Sequence, residues 1–153
     1  CLIGGSAVVL HTNKQARKVS SDIDFLVTSQ NISSIKKNLF SMIKPNRFGV
    51  SIQSLGVDID TLLGSSTFDK DCLKTSKVRV FKGLSMSVIN KAHLIVKKFI
   101  TGREKDLVDF SLLVKASTNF ELQESLKLIK RFFPNEEEDF VSELSLTNQG
   151  VFP

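Results

Sequence analysis

The first half of the chain contains short stretches in which apolar and polar residues alternate, a pattern typical of β-strands. The pattern, together with short apolar runs, predicts strands at residues 1–4, 22–28, 48–53, 55–62, 78–81 and 84–88. Helical spacing occurs twice in the same half, from Ser6 to about Leu10 and over residues 31–44, where Pro45 would end the helix. Strands and helices therefore alternate in this half.

The second half of the chain shows only helical spacing. Apolar residues recur every three or four positions over residues 89–99, 107–114 and 122–133. Gly102 separates the first two predicted helices, and Pro134 ends the third. Together the halves predict an α/β (α+β) fold, with a small mixed β-sheet flanked by helices and a C-terminal helical cap. We expect a core of residues 1–88 and a helical region of residues 89–153 packed on it.

Two acids lie inside one of the predicted strands. Asp22 and Asp24 project from the same face, because side chains alternate along a strand, while Phe25 projects from the other. Like charges on one face repel each other, so the pair is expected to hold a cation. Mg²⁺ is commonly bound by one or two carboxylates plus substrate phosphates. Asp58 and Asp60 repeat the pattern on a later strand, and either would supply a third carboxylate.

A double glycine precedes the first predicted helix. Gly4 and Gly5 would let the backbone come close to a ligand, and the free amides at the start of the following helix attract phosphate. Ser6 would cap that helix or donate to a phosphate oxygen. On the residues alone, a tight turn with an ordinary cap is the more common explanation of such a segment.

Charge and composition favour an anionic ligand. The chain has 153 residues and a formal net charge of +5, with basic residues scattered along it. This suits a nucleotide or nucleic acid, although a plain solvated surface has the same composition. The sequence has no Trp or Tyr, and its 12 Phe are expected mostly in the core, so base stacking on a polar aromatic platform is not expected.

The same composition indicates where the protein works. No apolar run approaches the roughly 18–20 residues of a membrane span, so we expect no membrane partner. Cys1 and Cys72 are too few for a disulfide framework, which favours a reducing, cytoplasmic location. The chain begins with Cys1 and not Met, which we interpret as a truncated sequence and not as a signal peptide.

Taken in order, these features resemble the signature of the DNA polymerase β-like nucleotidyltransferase superfamily: a Gly-Gly or Gly-Ser turn, a short helix and an acid-x-acid strand. The residues that carry the resemblance are Gly4-Gly5-Ser6-Ala7, His11, Arg17, Ser20, Ser21 and Asp22-Ile23-Asp24-Phe25-Leu26-Val27. Residues 94–98 and 102–109 resemble the Lys…Arg-x-Lys-Asp-x-x-Asp helices of one branch, which contains toxin-type nucleotidyltransferases and small relatives of aminoglycoside nucleotidyltransferases. The resemblance covers roughly residues 2–115.

The resemblance implies a set of site residues. Gly4, Gly5 and Ser6 would hold the triphosphate of a nucleoside triphosphate. Asp22, Asp24 and Asp58 would bind two Mg²⁺ ions. Asp58 matches the third acid, the expected general base, better than Asp60, which stays an alternative. Further nucleotide contacts would come from Arg17, Lys97 and Lys105.

The chain also departs from the family pattern. Thr12 stands where relatives often carry Gly, the spacing from Lys97 to Asp106 is short, and the helix that usually precedes the first strand is missing.

The sequence thus predicts a Mg²⁺-dependent nucleotidyltransferase that moves a nucleoside monophosphate onto an acceptor hydroxyl. A catalytically inactive relative that binds nucleotide or regulates a partner is one alternative, and a basic nucleic-acid-binding module is another. The acceptor stays open between a small molecule, a tRNA end and a protein hydroxyl, as do the preferred base and the oligomeric state.

Overall fold

Strands and helices alternate in the first half of the molecule, and helices alone form the second. A computed structural model describes residues 1–12, 22–38, 43–46, 49–54, 57–81 and 83–147. The strands of these residues are β1 (Leu2–Ile3), β2 (Asp22–Val27), β3 (Ile43–Asn46), β4 (Gly49–Ser54), β5 (Val57–Leu63), β6 (Lys77–Phe81) and β7 (Leu84–Val88). Their helices are α1 (Gly4–His11), α2 (Ser29–Asn38), α3 (Thr67–Thr75), α4 (Lys91–Thr101), α5 (Glu104–Lys115), α6 (Asn119–Phe132) and α7 (Glu137–Thr147), with a 3₁₀ turn at Pro134–Glu136.

The described strands form one mixed sheet in the order β3-β4-β5-β2-β1-β7-β6. β2 and β5 are parallel neighbours near its centre, and β1 runs antiparallel to β2 on the other side. β3 and β4 add to β5 as antiparallel strands. The mixed α/β fold expected from the sequence is therefore confirmed, and the sheet places the two acid-bearing strands next to each other.

The chain divides into two compact units. The described residues within Cys1–Ala7 and Lys18–Ile89 make up the first, and those within Val8–Arg17 and Asn90–Pro153 make up the second. The predicted packing of residues 89–153 on a core of residues 1–88 stays a prediction. None of the helices in the described part of the chain has the length and apolar character needed to cross a membrane.

One predicted helix ends early. Residues 31–44 were expected to be helical, but α2 ends at Asn38, and Ile43–Asn46 pairs with β4 as strand β3. The predicted residues between them lie outside the described part of the chain. The apolar Ile43 fits helical spacing and strand alternation equally well. Pro45 is compatible with β3 because an edge strand can have a backbone nitrogen that donates no ladder hydrogen bond.

Helix α3 is not among the helices that the sequence predicted. Ser66 in fact starts the helix: it is the N-cap, and its hydroxyl accepts a 3.0 Å hydrogen bond from the Asp69 amide. Phe68 and Cys72, four residues apart, are buried. The Ser-x-x-Asp spacing was the available signal.

The second unit has helix ends that its sequence explains. The Asn90 side chain caps α4, and Gly102 ends it in the left-handed region at φ +62°. Thr118 and Glu121 form a reciprocal capping box at the start of α6. Within the unit, the Phe140 ring packs edge-on against Phe99, with 5.0 Å between ring centroids.

Buried polar contacts fix the pairing of β4 with β5. Thr61 is 2% exposed, and its hydroxyl both donates to the Val50 carbonyl at 2.8 Å and accepts from the Val50 amide at 3.0 Å. Removing the hydroxyl would leave buried backbone groups without these partners. Thr61 projects from the face of β5 opposite to that of its neighbour Asp60.

We expect Thr61→Val to destabilise the protein by about 1–3 kcal/mol, the usual cost of leaving a buried polar group unsatisfied. Urea unfolding followed by circular dichroism would measure the change. Thr67→Val, at the exposed first residue of α3, is the matched control and should shift the transition little. Equal effects of the two substitutions would contradict this account of the β4–β5 pairing.

Candidate functional site

Four carboxylates share one face of the sheet. In the parallel pairing of β2 with β5, Asp22 is in register with Asp58, and Asp24 with Asp60. Paired residues on neighbouring strands project from the same face. Strands lie about 4.8 Å apart and rise ~3.3 Å per residue, so these four acids form a two-by-two array. We call Asp22, Asp24, Asp58 and Asp60 the carboxylate array.

The members of the array differ in exposure. Asp58 is exposed, whereas Asp22, Asp24 and Asp60 are half-buried. The Ser51 hydroxyl on β4 donates a hydrogen bond to Oδ1 of Asp60. We call Asp22 and Asp58, which lie at or next to the start of their strands, the outer row of the array. Asp24 and Asp60, two residues further along, are the inner row.

The first residue of the double glycine, Gly4, lies directly against Asp24 of the inner row. Gly4 has φ +66°, and a Cβ built there would overlap the Asp24 carboxylate, lying 2.8 Å from its Cγ. Only glycine has both the left-handed conformation and the room. Gly4 is also the first residue of α1, so the amides at the start of that helix lie beside Asp24, where a helix N-terminus stabilises negative charge. Gly5 and Ser6 follow in the first turn, half-buried.

The array presents oxygen ligands of the kind that Mg²⁺ binds. Carboxylate oxygens are the ligands that this ion prefers, and neighbouring pairs of them share a face. Among the described residues, no group of three or more His, Cys, Asp or Glu side chains is arranged so that it could hold a metal ion. Mg²⁺ usually takes one or two carboxylates and completes its shell with substrate phosphates and water. The array thus fits a metal site shared with a phosphate ligand and not an all-protein cage.

The remaining predicted nucleotide contacts lie elsewhere in the chain. Lys97 is half-buried on α4 and Lys105 is exposed on α5, both in the second unit. Arg17 lies outside the described residues. Their contacts with a nucleotide stay predictions.

A buried ion cluster joins α4 to α5. Lys98, 8% exposed, contacts Asp106 at 2.6 Å and Asp109 at 2.8 Å, and both carboxylates are at most 1% exposed. Arg103 adds a second ion pair to Asp106. The sequence predicted a role for Lys97 and none for Lys98. The available signal was that Lys98, Asp106 and Asp109 occur at helical spacing from apolar residues of α4 and α5. A charge on the apolar face of a helix needs a partner.

The ion cluster changes the acidity of one of its members. Burial by itself raises the pKa of the Asp106 carboxyl. Hydrogen bonds from Arg103 and Lys98, with their positive charges, outweigh burial and lower the pKa below its ordinary value of 3.8. The cluster therefore stabilises the second unit while Asp106 is ionised.

Two solved structures are similar to this chain. One is the solution structure of the antibiotic-resistance factor ANT(2'')-Ia. The match covers 90% of this chain and 85% of the ANT(2'')-Ia chain, at 11% sequence identity and a TM-score of 0.58. The crystal structure of an antigenic nucleotidyltransferase-like protein from Paracoccidioides brasiliensis matches 98% of this chain and 88% of its own, at 16% identity and a TM-score of 0.50.

No protein-family model and no curated protein sequence matches the chain. At these identities the structural similarity establishes the fold. The chain has a nucleotidyltransferase-like fold, as its resemblance to that superfamily implied.

We expect Gly4→Ala to destabilise the first unit more than Gly83→Ala does. Both residues have positive φ, but a Cβ at Gly83 would meet nothing within 4 Å. Gly83→Ala should cost about 1–2 kcal/mol, the cost of the left-handed conformation. Gly4→Ala should cost roughly 1–3 kcal/mol more, as overpacking does. Chemical denaturation measures both variants, and equal losses would mean that Asp24 does not pack against Gly4.

We expect Asp106→Asn to destabilise the second unit by about 3–5 kcal/mol at pH 7, because it breaks a buried ion pair. The pKa of Asp106 is lowered by folding, so the contribution of its ionised form is complete above the ordinary value of 3.8 and is lost as the pH falls through the lower, folded-state pKa. The difference in the free energy of unfolding between Asp106→Asn and the parent should therefore shrink as the pH falls below 3.8.

Urea unfolding at several pH values between 7 and 3 would measure this difference. Glu138→Gln, at an exposed position of α7, is the control and should remain close to the parent at every pH. A difference for Asp106→Asn that does not change with pH would contradict the assignment.

Proposed function

We propose that this protein is a Mg²⁺-dependent nucleotidyltransferase that transfers a nucleoside monophosphate from a nucleoside triphosphate to an acceptor hydroxyl. One observation supports the proposal above the others: Asp24, in the inner row of the carboxylate array, lies against Gly4, the residue that begins α1. The helix start proposed to bind phosphate and one of the acids proposed to bind metal are thereby side by side. The nucleotidyltransferase-like fold supports the same class of reaction.

Each part of the site has a role in the proposed reaction. The amides of Gly4, Gly5 and Ser6 bind the triphosphate and orient it toward the array. Asp22 and Asp24, with Asp58 or Asp60, hold the metal ions. Two bound Mg²⁺ ions would neutralise charge on the entering and leaving oxygens.

The chemical step is a substitution at phosphorus. The acceptor oxygen forms a bond to the α-phosphorus, the bond from that phosphorus to the bridging oxygen breaks, and pyrophosphate leaves. Asp58 or Asp60 accepts the proton of the acceptor hydroxyl as general base. Arg17, Lys97 and Lys105 are the further residues proposed to contact the nucleotide. We propose that the acceptor is a small molecule, a tRNA end or a protein hydroxyl.

The proposal predicts that ATP, GTP, CTP or UTP raises the melting temperature only when Mg²⁺ is also present. A thermal-shift series with each nucleotide, with and without Mg²⁺, measures this. Stabilisation by nucleotide without metal would instead identify an inactive nucleotide-binding relative. A response only to RNA or DNA, lost as salt rises, would identify a nucleic-acid-binding module.

We expect Asp22→Asn to abolish stabilisation by nucleotide with Mg²⁺ and to abolish turnover. Without ligands its melting temperature should be unchanged or higher, because the substitution relieves repulsion within the array. Glu138→Gln, which removes an exposed acid far along the sequence, should respond to ligands as the parent does. A large loss of stability for Asp22→Asn without ligands would contradict the proposed site.

A nucleoside triphosphate labelled on its α-phosphate identifies the acceptor class. Label transferred to a small molecule, to RNA or to protein in a cell extract can be separated by size and by nuclease or protease treatment. Release of labelled nucleotide without transfer to any of them would argue against the transferase.

A further inference from the structure

A serine hydroxyl on β4 lies next to Asp60, a member of the inner row of the carboxylate array. Ser51 on β4 is in register with Asp60 on β5, so its side chain projects from the face that carries the array. Its Oγ donates a hydrogen bond to Oδ1 of Asp60, and both residues are half-buried. The inner row therefore has a register neighbour on each side: Ser51 on β4 is next to Asp60, and Ile3 on β1 is next to Asp24. Gly4 follows Ile3 in the chain.

The outer row is more exposed than the inner row at the position on β5. Asp58 is in register with Gln53 on β4, and both side chains are exposed. An exposed carboxylate has more rotational freedom to lose when it binds an ion. A hydrogen bond donated by a neighbouring hydroxyl restricts that rotation beforehand and stabilises the negative charge beside a second carboxylate.

We propose that Ser51 is a positioning residue that fixes Asp60 next to Asp24, so that Asp60 and not Asp58 is the third acid of the site. The inference rests on the proposed function. It reverses the order in which the sequence ranked these two acids, because that ranking used only their place along an apolar strand. It assigns Ser51 a role in metal binding although the residue would not touch the metal.

The experiment compares Mn²⁺ binding, measured by electron paramagnetic resonance in the presence of a nucleoside triphosphate, for the parent, Ser51→Ala and Ser51→Thr. Ser51→Ala should weaken Mn²⁺ binding by about tenfold, since losing the partner of a metal ligand typically costs 10–100-fold. Ser51→Thr keeps the hydroxyl and should restore most of the affinity. In turnover assays, Ser51→Ala should lower kcat at saturating nucleotide more than it raises KM.

Thr61→Val provides the matched control. It removes a hydroxyl from the same strand pair, but on the opposite face, so it should lower stability and leave Mn²⁺ affinity unchanged. Asp60→Asn should weaken Mn²⁺ binding more than Asp58→Asn does.

Two results would overturn the inference alone: Ser51→Ala with the parent's Mn²⁺ affinity, or a larger loss for Asp58→Asn than for Asp60→Asn. In both, the parent still binds Mn²⁺ and turns over nucleotide, so the proposed function survives. A parent that binds no Mn²⁺ with any nucleoside triphosphate would overturn the proposed function and this inference together.

Discussion

The pairing of β2 with β5 is the constraint on which the candidate site of the first unit depends. The parallel register of β2 with β5 brings Asp22 beside Asp58 and Asp24 beside Asp60. A shift of one residue would place the acids of β2 and those of β5 on opposite faces of the sheet. Apolar neighbours such as Leu26, which is buried, hold that register. Packing in the core therefore forces together charges that would separate in a free chain. The start of α1 and the Ser51 hydroxyl partly offset the repulsion, and a bound cation would offset more of it.

In the second unit, buried acids are neutralised by basic side chains next to them. Asp106 and Asp109 are more deeply buried than any member of the array, yet Lys98 and Arg103 neutralise them within the protein. A compensated cluster of this kind joins two helices and needs no ligand. In the array, by contrast, each acid of β2 is in register with an acid of β5. This contrast supports the proposal that the array binds a ligand and that the ion cluster is structural.

Much of the fold could be predicted because the period of the apolar residues differs between strands and helices. The alternation around Asp22–Asp24 and Asp58–Asp60 predicted strands β2 and β5 and the shared face of each acid pair. The prediction was wrong where the two periods coincide, as at Ile43, which belongs to edge strand β3 and not to a helix. It missed α3, whose start depends on the Ser66 cap and not on a long apolar stripe.

The sequence by itself determined which acids lie two apart on one strand face and which glycines precede a helix, since both follow from local geometry. Only the tertiary structure decided that β2 and β5 are neighbours, that Gly4 packs against Asp24 and that Ser51 reaches Asp60. These contacts join residues far apart along the chain, and which strands pair depends on the free energy of the whole sheet. No local pattern contains that information.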